Sequence, residues 1–167
     1  DIMRKDPISP KKGIFSDGLA FKIVFEGLMI GSLALTAFAI GYHHYDIPAY
    51  LRSLANQGTN NVAATITPWV GRTMAFSVLS LSQLFHSFNM RSEHSLSEVG
   101  VFGNKKLVLS FIICGLMQIA VISLEPLSKV FQVVSLNSIQ WAYVFLLSFV
   151  PIVVVELQKK FNRRGKK

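Results

Sequence analysis

Three side chains set the chemical question: Ser80, Gln83 and Ser87, within the run VLSLSQLFHSFN from Val78 to Asn89. At 100° per residue they fall within a helical sector about 60° wide, while Val78, Leu81, Phe85 and Phe88 mainly point elsewhere. The result is a polar stripe on a segment otherwise apolar enough for lipid. Such a stripe must face protein or a water-filled path, because an unsatisfied amide in hydrocarbon costs several kcal/mol. Two chemistries fit. The three residues can hydrogen-bond to neighbouring helices, at about 0.6 kcal/mol for an average pair. Alternatively they line an ion path, with the Gln83 carbonyl oxygen offered to a cation as part of a metal site. His86, about 60° from Gln83, reads as an interhelical hydrogen-bond donor in preference to a proton carrier.

The same inventory excludes several functions for the chain by itself. A calcium ion takes about six to eight oxygens, usually with carboxylates among them, and no Asp or Glu falls in the middle third of any apolar run. Gln83 is therefore at most one part of a hard-cation site. His43 and His44 are adjacent and do not share a helix face, so they define no metal site. The lone Cys114 allows no disulfide within one copy and reads as a small packing residue. The phosphate-cradling G-x-x-x-x-G-K-[ST] pattern is absent, so no cofactor and no catalytic residue is expected in this chain.

The elements that position these residues follow from composition. Hydrophobic residues make up 51% and charged ones only 16% of 167 positions, too apolar a balance for an ordinary soluble domain. Four runs are candidate spans: 23–42, 74–90, 107–124 and 139–157. A hydrocarbon core about 30 Å thick needs about 20 helical residues, so the second and third must borrow interfacial flanks. The basic residues then give the topology. Arg4, Lys5, Lys11, Lys12 and Lys22 precede the first span, Arg91, Lys105 and Lys106 follow the second, and Lys159, Lys160, Arg163, Arg164, Lys166 and Lys167 close the chain. The opposite side holds only Arg52, Arg72 and Lys129. The sequence thus reads as an all-α membrane protein, four transmembrane helices in a bundle with both termini cytoplasmic. The net charge of +8 is a topology signal and a contact with anionic headgroups. A nucleic-acid partner is not expected, since no aromatic and basic residues interleave on a soluble face.

Smaller features refine the bundle. Gly27 and Gly31, in GLMIGSLA, have the G-x-x-x-G spacing that admits a neighbouring helix closely. Glu26 lies four residues after Lys22 and reads as an interfacial ion pair. Trp141 and Tyr143 sit where an aromatic belt belongs, and Pro151 should kink the last span. Glu156 is expected to be solvated and to pair with Lys160. The stretch 43–72 reads as an extracytoplasmic loop with an amphipathic turn in YLRSLANQGTNNVAA, 91–106 as a cytoplasmic loop and 158–167 as a basic cytoplasmic tail. No secretory signal is visible in DIMRKD, and the start at Asp1 suggests part of something longer.

Four stretches together resemble the carboxy-terminal transmembrane block of P-type cation-transporting ATPases, most closely the calcium-transporting ones. RTMAFSVLSLSQLFHSFNMRSE, Arg72 to Glu93, resembles the eighth transmembrane helix, with its T-M-A-F start and Q-L-F-x-x-h-N ending, h being hydrophobic. DIMRKDPISPKKGIF resembles the D-I-M-x-x-P segment that follows the sixth, VFGNKKLVLSF the F-x-N-K-x-L entry to the ninth, and EPL followed by a Trp-containing helix also fits. The order is right and covers nearly the whole chain. The resemblance implies that the four spans are the seventh to tenth helices, and that residues 1–22 form a cytoplasmic loop coupling the membrane bundle to a phosphorylation domain. It implies partners in the remaining helices and cytoplasmic domains of a parent pump, which would use ATP, magnesium and calcium. The family's D-K-T-G, T-G-E and P-E-G-L motifs are absent here.

At Gln83 the two-site reticulum-type calcium pumps carry a Glu that completes a calcium site, whereas plasma-membrane-type calcium pumps carry Gln. An amide donates an oxygen but no charge. The resemblance therefore implies one calcium per cycle. The residues alone also allow a free-standing small transporter or channel subunit, or a non-catalytic accessory membrane protein.

Overall fold

The computed structural model describes residues 19–57, 67–90 and 104–164. They form α1 (Leu19–Gly41), one π-helical turn (Tyr42–Asp46), α2 (Ile47–Gln57), α3 (Trp69–Met90), α4 (Lys105–Ser123), α5 (Glu125–Phe131) and α6 (Ser138–Arg164), with no strand among the described residues. The expected coupling loop up to residue 18, the NQGTNN tip from Gly58 onward and most of the 91–106 connection lie outside them.

α3 is the hub, packed against α1, α4 and α6. Its core is a cluster of Ala37, Met74, Val78, Leu81 and Val144, with Leu33, Ile40, Phe85 and Trp141 packed around it. α1 presents Ile30, Ala34 and Ala37 to this core, at the three-and-four-residue spacing that makes one helical face. Aromatic rings hold α4 and α6 on: Phe85 lies 5.3 Å from Phe111 and 5.7 Å from Phe149 between ring centres.

Among the described residues three helices, not four, are long and apolar enough by themselves to cross a membrane: the one running through Ala20–Ala55, α4 and the Ser138–Lys160 part of α6. The exception is α3, at 22 residues long enough but diluted by polar side chains. Its central place explains why. A helix ringed by other helices satisfies part of its polarity internally and needs less apolar surface. Thr73 and Ser77 show this, donating their hydroxyls to the Trp69 and Thr73 carbonyls.

The first apolar helix also runs further than its hydropathy suggests. Residues Ala20–Ala55 cover 36 positions, about 54 Å of helix against a core of about 30 Å. Much of the expected 43–72 loop is therefore helix, because the π turn carries α1 into α2 without a break. The other ends are conventional. The Asn104 carboxamide caps α4 at Lys106 N and Leu107 N. Asn137 and Gln140 cap α6 reciprocally, each backbone N–H reaching the other's side-chain oxygen. α6 continues through a buried Pro151. Near its end Glu156 pairs with Lys159 at 3.7 Å, not with Lys160, and both side chains are mostly buried, at 17% and 11% exposure. The i+3 partner wins because it shares the bundle-facing side. Cys114 is exposed on α4 and fills no gap within the chain.

Candidate functional site

The geometry of α3 separates the polar stripe from His86. Gly71 and His86 both face α1: a Cβ on Gly71 would stand 2.9 Å from the Phe38 carbonyl, and His86 Nε2 lies 3.2 Å from Glu26 Oε2. Helical periodicity places Val78 and Ser82 on the line between them. Met74, Leu81 and Phe85 turn toward the core shared with α6. Gln83 lies on the opposite flank and is exposed, with Ser80 and Ser87 half-buried beside it. The Ser87 hydroxyl donates back to the Leu84 carbonyl at 2.7 Å. Gln83 itself makes no hydrogen bond to another helix among the described residues.

The same reasoning locates Gly27 and Gly31. On α1, Leu33 and Ile40 sit on the flank that joins the core cluster with Val144, and the two glycines sit on the other. Added Cβ atoms at Gly27 and Gly31 would meet nothing within 4 Å. The glycines and Gln83 thus border the same side of the α1–α3 pair, the side that α6 leaves open. No helix among the described residues occupies the close approach that the glycine spacing permits.

Close approach within the chain happens elsewhere. A Cβ on Gly41 would stand 2.5 Å from the Gly71 Cα, so both positions need glycine where the backbones touch. Beside them Asp46, buried in the π turn, accepts from Val70 N at 3.0 Å and Gly71 N at 2.9 Å. Its carboxylate satisfies two of the free N–H groups at the start of α3, a stabilising position for negative charge.

Glu26 and His86 close the other end of the seam. Each residue is 8% exposed, and Lys22 Nζ lies 3.9 Å from the second carboxylate oxygen. The expected Lys22–Glu26 pair is present, but the shorter link crosses to α3, where His86 acts as an interhelical partner. Neither this partnership nor the Asp46 cap was specified by local sequence, since 60 and 24 residues separate the partners. His43 and His44 are exposed. No group of three or more His, Cys, Asp or Glu side chains that could hold a metal forms among the described residues.

Residues 1–161 match the family model described as "Cation transporting ATPase, C-terminus". The chain is 41% identical over 160 residues to "Calcium-transporting ATPase 1" of Bacillus cereus, covering 95% of this chain and 18% of that protein. It is 31% identical over 151 residues to a "Calcium-transporting ATPase" of Bacillus subtilis, covering 90% of this chain and 15% of that protein. A reticulum-type "Calcium-transporting ATPase 3" of Arabidopsis thaliana is 27% identical over 172 residues. The chain belongs to the cation-transporting ATPase C-terminal family and is a multi-pass membrane protein. It spans less than a fifth of the length of the two bacterial relatives.

Proposed function

We propose that this chain is the carboxy-terminal membrane domain of an ATP-driven calcium exporter in the cell membrane. In this reading α1, α3, α4 and α6 are the seventh to tenth spans and both termini are cytoplasmic. The basic residues support that orientation, with fourteen in the segments on one side and three on the other. The crossing of α3, less apolar than the rest, is supported by the helices packed against its other sides.

The observation that carries the reading is the shared open flank: an exposed Gln83 beside Gly27 and Gly31 with no neighbour. An exposed amide in mid-membrane needs a partner, and paired glycines admit one. Further helices of the pump would supply it, together with the carboxylates that a calcium site requires. Gln83 would add one neutral oxygen, with Ser80 and Ser87 lining the approach. ATP and magnesium would be bound by the rest of the pump, where phosphorylation of an Asp drives transport. This domain holds the transport helices in place. Because the Gln83 amide brings no charge, the expected stoichiometry is one calcium per ATP.

The test is ATP-dependent calcium uptake into inside-out vesicles carrying the full-length protein. Uptake of one calcium per ATP supports the reading. Uptake of sodium or potassium without calcium overturns the ion, and two calcium ions per ATP overturn the role given to the neutral amide.

A further inference from the structure

A second feature lies at the end of the bundle where α3 begins and α5 ends. A cavity of about 330 Å³ opens there, lined by Trp69, Ser128, Lys129, Gln132, Val133 and Val134. We propose that it holds the headgroup phosphate of a membrane phospholipid, with Arg72 as its principal cationic contact and the Glu125-paired Lys129 beside it.

The corner is built from two directions. Gln132 ends α5 in the left-handed conformation, at φ 52°, a strained position for a residue with a Cβ. The turn is closed by Val133 N donating to the Ser128 carbonyl at 3.0 Å, and Val134 N is tied to α3 through Thr73 Oγ1 at 3.0 Å. That turn brings Gln132 Oε1 to 3.5 Å from Arg72 Nη2. The guanidinium also lies over the Trp69 ring, 5.6 Å from its centre, a favourable place for a cation. Arg72 is therefore held at the cavity's edge by an aromatic face and an amide, while much of its hydrogen-bonding fork stays available.

Charge favours an anion. Lys129 is matched by Glu125 at 2.7 Å, and the Asp46 carboxylate is engaged by backbone N–H groups. Arg72 makes no ion pair among the described residues. Arg72 thus has no carboxylate partner of its own, and guanidinium forks suit phosphate oxygens.

The surroundings choose a lipid over a free anion. Val133 and Val134 form an apolar floor, and Val130 and Phe131 on α5 are 76% and 51% exposed. Phe131 and Phe76 lie 6.2 Å apart and extend that apolar surface along α3. Trp69 stands where spanning segments begin, the level of headgroups. A phospholipid would place its phosphate on Arg72 and its acyl chains along Phe76 and Phe131. A soluble phosphate would leave these groups uncovered.

The experiment uses the full-length ATPase carrying this chain, purified in a neutral detergent. Its thermal midpoint is measured with added phosphatidylglycerol, with phosphatidylcholine and with inorganic phosphate, alongside a native mass spectrometric count of retained phospholipid. The expected result is a rise with phosphatidylglycerol exceeding that with phosphatidylcholine, none with inorganic phosphate, and one retained phospholipid lost in Arg72→Gln/Lys129→Gln. Should that variant not fold, Gln132→Gly, which relaxes the strained turn and removes the Arg72 tether, should lose the same lipid. Equal lipid retention in the variants, no lipid response in the unaltered protein, or the same rise with inorganic phosphate would each overturn the proposal.

Discussion

Glu26 Oε2 and His86 Nε2 lie 3.2 Å apart across the seam between α1 and α3, each side chain 10% exposed. Fifteen residues along α1 and fifteen along α3 away, Gly41 and Gly71 touch backbone to backbone. The two helices are thus antiparallel, in matching register, and fastened at both ends. One fastening is polar, with Lys22 also 3.9 Å from Glu26 Oε1, and the other combines the steric backbone contact with the Asp46 hydrogen bonds to Val70 N and Gly71 N.

The Glu26–His86 link is testable by substitution. His86→Ala leaves a buried carboxylate without its imidazole partner and should cost about 3 kcal/mol. His86→Gln retains an N–H that reaches toward Oε2 and should cost much less. Denaturation of the purified full-length protein measures both, and equal losses would show that ring packing, not the hydrogen bond, matters at this position.

The glycines divide into two kinds. Gly41→Ala forces a Cβ to 2.5 Å from the Gly71 Cα and should cost about 1–3 kcal/mol through overpacking. A Cβ at Gly31 meets nothing within 4 Å, so harm from Gly31→Leu in the full-length protein reports a helix from elsewhere in that protein. Thermal midpoints of the two variants give the comparison. Full stability in Gly31→Leu would mean the open flank faces lipid.

Asp46 caps α3 from a distant π turn, which makes its effect local and legible. Asp46→Ala should cost about 1–2 kcal/mol and speed hydrogen exchange at Val70 and Gly71, while leaving exchange at the centre of α3 unchanged. Unaltered exchange at those two amides would rule out the capping role.

Much of this was readable beforehand, for identifiable reasons. The apolar runs and the membrane class follow from local composition and spacing. The polar stripe did lie on one face of α3. The cross-helix partners of Glu26, Asp46 and Gly41 were not readable, because each contact joins residues distant along the chain and depends on the register of two helices. The length of the first helix was misread for another reason. Hydropathy falls after Tyr42 where the helix leaves the apolar layer, but helical hydrogen bonding continues into amphipathic α2.

The most direct test of the account is the apparent calcium affinity of ATP-driven uptake by the full-length protein with Gln83→Ala and Gln83→Glu, at equal protein content. The account predicts that Ala weakens calcium affinity by about tenfold, the loss of about 1.4 kcal/mol, and that Glu changes affinity or the number of calcium ions moved per ATP. Unchanged affinity and stoichiometry in both variants would contradict it, leaving the stripe on α3 as a helix-packing surface with no part in the ion path.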